Sequence, residues 1–285
     1  MDIIFKKINF KIKKIYLYFF SPNYPDCVKV KTPEQTLKKI TDLITSETPG
    51  AYLRFGDGEI NVLNGVGAME QKGDTGMIKE MDESFRLNGE GVMKSLMIHS
   101  KRFGFSKGMI EGFHLTHDDW ATNMFNYCYQ YFIGDYIYSH TALSYALIYQ
   151  REKALKLFKL IKSHNGLIFV GNETINKAII ENIFGESCLH IKTPPKDAFK
   201  NIDEIENKII NQLKNKEDYS LIIFAVGPSS NILQKRIFNK NINAFTFDIG
   251  SVVDALSGSQ TRAWMDVIDI PEDYYEEFIN DINEI

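Results

Sequence analysis

The chain has 285 residues, 44% hydrophobic and 25% charged, a mix that buries a core and excludes a disordered, collagen-like or disulfide-built protein. Its three cysteines, Cys27, Cys128 and Cys188, are widely spaced and outside any C-x-x-C, which excludes a zinc finger and points to a reducing compartment. The net charge of −4 excludes a general nucleic-acid binder.

Charge is uneven along the chain. Residues 1–40 hold nine lysines against three acids. Within them, Ile4, Phe5, Ile8, Ile12, Ile15 and Phe19 recur at helical spacing among Lys6, Lys7, Lys11, Lys13 and Lys14. Residues 1–30 therefore read as a basic amphipathic segment. Its stretch 3–20 suits peripheral contact with an anionic membrane, or packing on its own domain or on a second subunit of a homo-oligomer. The apolar run Tyr16–Phe20 is too short for a signal peptide, and no run of 18 apolar residues exists. The expected location is cytoplasmic, with the segment at the inner membrane face. Residues 31–285 are expected to form a single domain.

A strand is predicted at 51–55, a helix near 78–87, and a strand near 96–99. Residues 119–132 and 141–163 read as helical. Ten aromatics and one charge, Asp135, crowd residues 120–150, which suits a buried layer or a sugar-facing surface. The apolar run 167–170 predicts a buried strand, followed by a helix at 175–184. Phe199, Ile202, Ile205, Ile209 and Leu213 mark one face of a further helix. A strand at 221–226, a helix over 232–237, a strand at 244–249 and an acidic helix from Pro271 complete the series. Alternation of apolar strands with helices predicts an α/β, Rossmann-like fold, its mostly parallel sheet covered by helices on both faces.

Four of the predicted strands run into glycine: Gly56, Gly171, Gly227 and Gly250. Ligands of open α/β sheets bind at the carboxyl ends of strands, so these turns are expected to face one crevice. The first turn places Asp57 and Glu59 two residues apart. On a turning backbone both carboxylates reach the same side, two hard oxygen ligands for Mg²⁺ or Mn²⁺. The alternative is that Asp57 caps a helix and Glu59 sits in its first turn. Arg54 can hold a phosphate or carboxylate. At the third turn, Gly227-Pro228-Ser229-Ser230 offers helix N–H groups and hydroxyls to an anion, or simply starts a well-capped helix. The fourth brings Asp248, Gly250 and Ser251, with Asp254 able to take a proton from a hydroxyl and Arg262 able to hold phosphate. Gly171 and Asn172 line the second turn. His114 and His117 lack partners at metal-ligand spacing.

Four segments in order resemble the glycosyltransferases of GT-D fold. Arg54-Phe55-Gly56-Asp57-Gly58-Glu59 resembles their R-[FY]-G-D-G-E turn, and Pro194–Phe199 their P-x-x-[ND]-A-F. Phe224–Leu233 is similar to L-x-x-G-P-T-A-x-x-L, and Asp248-Ile249-Gly250 to a closing D-I-G. The resemblance implies transfer of a hexose-type sugar from a nucleotide-sugar donor, usually a UDP-sugar, to a glycan, glycolipid or glycoprotein acceptor in surface polysaccharide or glycoprotein synthesis. A lipid-linked acceptor would fit the basic start of the chain. It also implies Mn²⁺ or Mg²⁺ on Asp57 and Glu59, with the Gly227–Ser230 turn in the donor pocket. One branch of the family has histidine after D-I-G where this chain has Ser251; Asp254, Arg262 and Trp264 resemble another. Two other readings are a metal-dependent phosphohydrolase using Asp57 and Glu59, and a non-catalytic nucleotide- or glycan-binding subunit.

Overall fold

The computed structural model describes residues 29–68, 74–105, 118–132, 135–213, 218–259, 265, 271 and 273–284. The basic segment 1–28 and Arg262, Trp264, His114 and His117 lie outside them. Eight strands run in chain order: β1 Lys29–Val30, β2 Gly50–Phe55, β3 Val92–Leu96, β4 Tyr136–Ser139, β5 Ile168–Asn172, β6 Leu189–Thr193, β7 Ser220–Ala225 and β8 Ala244–Asp248. They form one sheet in the order β1-β4-β3-β2-β8-β7-β5-β6, and every pairing is parallel. The fold is the predicted α/β one.

One face of the sheet is covered by α2 Asp57–Leu63, α3 Thr75–Phe85, α4 Asp118–Cys128, α8 Ile202–Leu213 and α9 Ser229–Phe238. On the other lie α1 Pro33–Thr45, α5 Ala142–Tyr149, α6 Arg151–Lys162, α7 Lys177–Phe184, α10 Val252–Leu256 and α11 Tyr274–Asn283. The division follows a rule. Connections that step toward the β1 edge (β2 to β3, β3 to β4, β6 to β7, β7 to β8) all use the first face. Those that step toward the β6 edge (β1 to β2, β4 to β5, β5 to β6) all use the second. A single handedness of crossover between parallel strands requires this.

The rule locates a switch point. β2 and β8 are neighbours, paired from Gly50↔Phe245 to Tyr52↔Phe247. The chain leaves β2 through α2 on one face and leaves β8 through α10 on the other. A crevice therefore opens between their carboxyl ends, the usual ligand position in such sheets.

Several elements differ from expectation. The predicted strand near 96–99 lies four residues earlier, at Val92–Leu96. The helix expected over 119–132 ends at Cys128 and passes into a 3-10 turn, Tyr129–Tyr131. The helix expected over 141–163 is two helices, broken where Gln150 adopts φ −135° and ψ 50°. The helix expected from 175 begins at Lys177, because the Asn176 side chain accepts the Ala178 N–H and caps it. α1, β4 and β6 were not predicted. Among the described residues no helix is long and apolar enough to cross a membrane.

Candidate active site

Three of the four glycine turns, at Gly56, Gly250 and Gly227, follow β2, β8 and β7, consecutive strands of the sheet, at the carboxyl edge; Gly171 instead lies inside β5, paired with Lys192 of β6 and Ala225 of β7, so the turn there begins only after Asn172. At the centre, Arg54 near the end of β2 is 15% exposed. Its Nε donates to the His140 carbonyl at 2.9 Å, and its Nη1 lies 3.6 Å from Asp248 Oδ2. Asp248 Oδ1 accepts the Gly250 N–H at 2.8 Å. Gly250 has φ +59°, and a Cβ there would lie 1.8 Å from Arg54 Nη1, so only glycine allows the guanidinium to cross the fourth turn. Arg54 is thus committed to three strand ends, β2, β4 and β8, rather than projecting freely toward a ligand.

Asp57 and Glu59 lie inside α2, at its first and third positions, with Gly56 as the cap residue. Two residues on a helix are about 200° apart, so the carboxylates do not share a side. Asp57 is exposed, with Oδ1 accepting the Gly58 N–H at 3.0 Å. Glu59 is buried, and its Oε2 accepts the Gly56 N–H at 2.8 Å. Burial pushes the Glu59 carboxyl up to about 7; the Gly56 N–H opposes this, the Asp248 charge adds to it and Arg54 lowers it. The backbone thus adopts the helical alternative in part: Glu59 sits in the first turn as expected, but Gly56, not Asp57, is the cap residue.

The third turn meets the first. A Cβ on Gly58 would lie 3.7 Å from Pro228 Cγ, so the start of α2 packs beside the start of α9. Gly227 has φ +57°. Ser229 and Ser230 are fully buried: Ser230 Oγ accepts the Val226 N–H at 3.3 Å, and Ser229 Oγ has no partner among the described residues. At the second turn Asn172 Oδ1 accepts the Thr174 N–H at 2.9 Å, two strands from β8. Ser251 occupies the position before α10 without a side-chain bond to its first N–H groups, and Asp254 is half-buried within the helix.

Two further residues at the crevice have no role in the sequence reading, although Asn231 lies within the Phe224–Leu233 segment. Asn231 on α9, fully buried, accepts the Arg54 N–H at 3.0 Å and donates to the Arg54 carbonyl at 2.7 Å. His140, just past β4, brings Nε2 to 3.0 Å from the position a Gly56 Cβ would take, and its buried Nδ1 has no partner among the described residues. Burial, with the charge of Arg54 and the neighbouring His99, holds its pKa well below the usual imidazole value, so the ring is neutral. A lone histidine outside any motif carries no signal in sequence, and an asparagine inside a helix carries less.

Among the described residues no three His, Cys, Asp or Glu side chains converge as a preformed metal cage. The donor set does fit an ion that arrives with a diphosphate. Mg²⁺ and Mn²⁺ sites commonly combine one or two carboxylates with phosphate oxygens and water, and Asp57 presents an exposed carboxylate at the crevice.

Comparison with known proteins identifies the family and the fold. The family profile described as Glycosyltransferase GT-D fold matches residues 52–278. Glycosyltransferase GlyD of Streptococcus pneumoniae serotype 4 (strain ATCC BAA-334 / TIGR4) is 26% identical over 222 residues, covering 73% of this chain and 25% of that protein. The chain thus spans about a quarter of the length of this relative. Among solved structures, one described as the highly conserved domain of unknown function 1792 with a distinct glycosyltransferase fold superposes with a TM-score of 0.59 at 18% identity, over 89% of this chain and 86% of that one. A second, described as a new glycosyltransferase of the same domain type from Streptococcus sanguinis, gives 0.55 at 16% identity over 83% and 87%.

Proposed function

The chain belongs to the glycosyltransferases of GT-D fold, and from that premise we propose that it moves a sugar from a nucleotide-sugar donor, a UDP-sugar, to a glycan, glycolipid or glycoprotein acceptor. The observation that carries this reading is the meeting of exposed Asp57 and the Gly227-Pro228 start of α9 at the β2–β8 switch point. An anion at that position faces helix N-termini and a carboxylate able to share a cation with it.

Asp57 and Glu59 divide the work of the first turn. Asp57 faces the crevice and is the residue to hold Mn²⁺ or Mg²⁺ beside the diphosphate. Glu59 folds back on the Gly56 N–H and sets the shape of the turn. An ion held there would neutralise charge on the departing diphosphate. Arg54, fixed by the His140 carbonyl and Asp248, contributes positive potential to the crevice floor. In transfer, the bond from the sugar anomeric carbon to the diphosphate oxygen breaks. A bond from the acceptor oxygen forms, and the acceptor proton goes to a base. Asp254 is the residue assigned to that proton for an inverting outcome. The membership favours this reading over a phosphohydrolase, which would need no acceptor.

Calorimetric titration with UDP, with and without Mn²⁺, tests it. Binding that needs the ion in wild type and falls at least tenfold in Asp57→Ala is the expected result. Ion-dependent binding that survives Asp57→Ala unchanged would remove Asp57 from the site.

A further inference from the structure

We propose that Asn231 is a positioning residue, whose side-chain amide replaces a missing strand beside the end of β2 and locks the first and third turns of the site into one unit. The ladder between β2 and β8 stops at Tyr52↔Phe247. Beyond it β8 stays with β7 alone, through the Phe224↔Asp248 pair and the Ile249 N–H on the Phe224 carbonyl at 2.9 Å, and turns at Gly250, while β2 continues to Phe55, paired on its other side with Leu96 of β3. Along a strand, the N–H and C=O of one residue point to the same side, and alternate residues share that side. Arg54 therefore aims its N–H and C=O where Tyr52 does, to the β8 side, where the ladder with β8 has ended.

Asn231 fills the gap. Its Oδ1 accepts the Arg54 N–H at 3.0 Å and its Nδ2 donates to the Arg54 C=O at 2.7 Å. A primary amide offers the acceptor and donor pair that a peptide group offers, so the contact continues the ladder by one step. The side chain is fully buried, so no water takes over either bond when it is lost. Asn231 sits in the first turn of α9, two residues from the buried Ser229 and three from Pro228, which packs beside Gly58. The backbone of Arg54 to Glu59 is thereby fixed to the α9 terminus across 177 residues of sequence. Arg54 and Glu59 act on their own neighbours; Asn231 decides where the turn that carries them stands.

The functional consequence rests on the donor-site reading above, and the experiment separates the two. Amide hydrogen exchange of the segment 54–59 is followed in the ligand-free full chain for wild type, Asn231→Ala and Asn231→Asp, with thermal midpoints alongside. UDP is then titrated with Mn²⁺ present. Asn231→Ala is expected to raise exchange in 54–59 at least tenfold while α6 and α11 keep wild-type protection, and to weaken UDP at least tenfold. Asn231→Asp keeps the acceptor and loses the donor, and is expected to fall between. Wild-type exchange in 54–59 in both variants would overturn the proposal. So would an increase spread evenly over the chain, which is what general destabilisation produces. Absence of UDP binding in wild type would count against the donor reading, while the exchange result would still decide the role of Asn231.

Discussion

Burial raises the Glu59 carboxyl from 4.5 to about 7, with Asp248 adding to the shift and the Gly56 N–H and Arg54 opposing it. The folded chain therefore holds a proton between those values that the unfolded chain releases. Stability from this group is full below about 4.5 and is lost as pH rises through about 7. Glu59→Gln keeps an acceptor for the Gly56 N–H and cannot titrate. Its stability relative to wild type is expected to improve by about 2.5 kcal/mol between pH 5 and pH 8, read from urea midpoints at both. A difference that stays constant would mean Glu59 is ionised throughout. Gly250 supplies a second residue-scale outcome. Gly250→Ala combines φ +59° with a Cβ 1.8 Å from Arg54 Nη1 and is expected to cost at least about 2 kcal/mol and displace the guanidinium. Gly104→Ala, at φ +82° with nothing within 4 Å, isolates the backbone cost of about 1 kcal/mol. The glycine turns and the acids around them are visible in sequence because their residue types are unusual where they stand. Which way Glu59 faces is not, because an i, i+2 pair shares a side only until a helix begins at Asp57.

Three helices of the first face are tied by charge as well as by apolar contact. Lys235 of α9 donates to Glu80 and Glu83 of α3, each at 2.7 Å. Arg236 of α9 reaches Glu80 of α3 and, at 2.6 and 2.7 Å, Asp203 and Glu206 of α8. Burial raises the Glu80 carboxyl, but hydrogen bonds from Arg236 and Lys235 outweigh it and bring it down to about 2. The contribution of Glu80 is thus present above 4.5 and lost as pH falls toward 2. Arg236→Met leaves Glu80 and Glu206 short of a partner and is expected to cost about 2 kcal/mol at pH 7, with a flatter acid limb in urea melts across pH 3–7. The elements that sequence missed have identifiable physical causes. Lys94 in the middle of β3 is buried, with Nζ donating to the Tyr131 carbonyl at 2.6 Å and Asn88 Oδ1 at 2.9 Å. A lysine at that position hides the apolar pattern and moves the expected strand toward Leu96. β6 is an edge strand in which exposed Lys192 stands between buried Ile191 and Thr193 and half-buried His190 follows exposed Leu189, so it has no continuous apolar run. β4 has four residues in the short gap of an aromatic stretch between two segments that read as helix. The long central strands β5, β7 and β8, apolar on both faces, were legible because burial on two sides leaves little room for anything else.

Expectation of one domain over residues 31–285 becomes testable because the sheet and both cores cross the seam. The β2–β8 boundary divides strands β1 to β4 from β5 to β8, and its ladder spans only Gly50–Tyr52. On the first face Phe55, Met81 and Phe85 belong to the same core as Phe224, Ile232 and Ile237. On the second, Leu37, Ile40 and Tyr52 share a core with Phe245, Phe247 and Phe278. Separating the halves would expose both layers at once, and at roughly 25 cal/mol per Å² of apolar area that cost greatly exceeds three ladder pairs. Unfolding is therefore expected to be one cooperative transition despite the length of the chain. Trp120 in α4 reports the first half in a Trp264→Phe background, and far-UV circular dichroism reports the helices of both. Their urea midpoints are expected to coincide. Fluorescence that melts first would make the β2–β8 seam a domain boundary, and the crevice a cleft between two bodies. Coincident curves mean that the turns after β2, β8, β7 and β5 are carried by one rigid sheet, and a mutation at Asn231 or Gly250 then acts on the site locally rather than by letting the halves part.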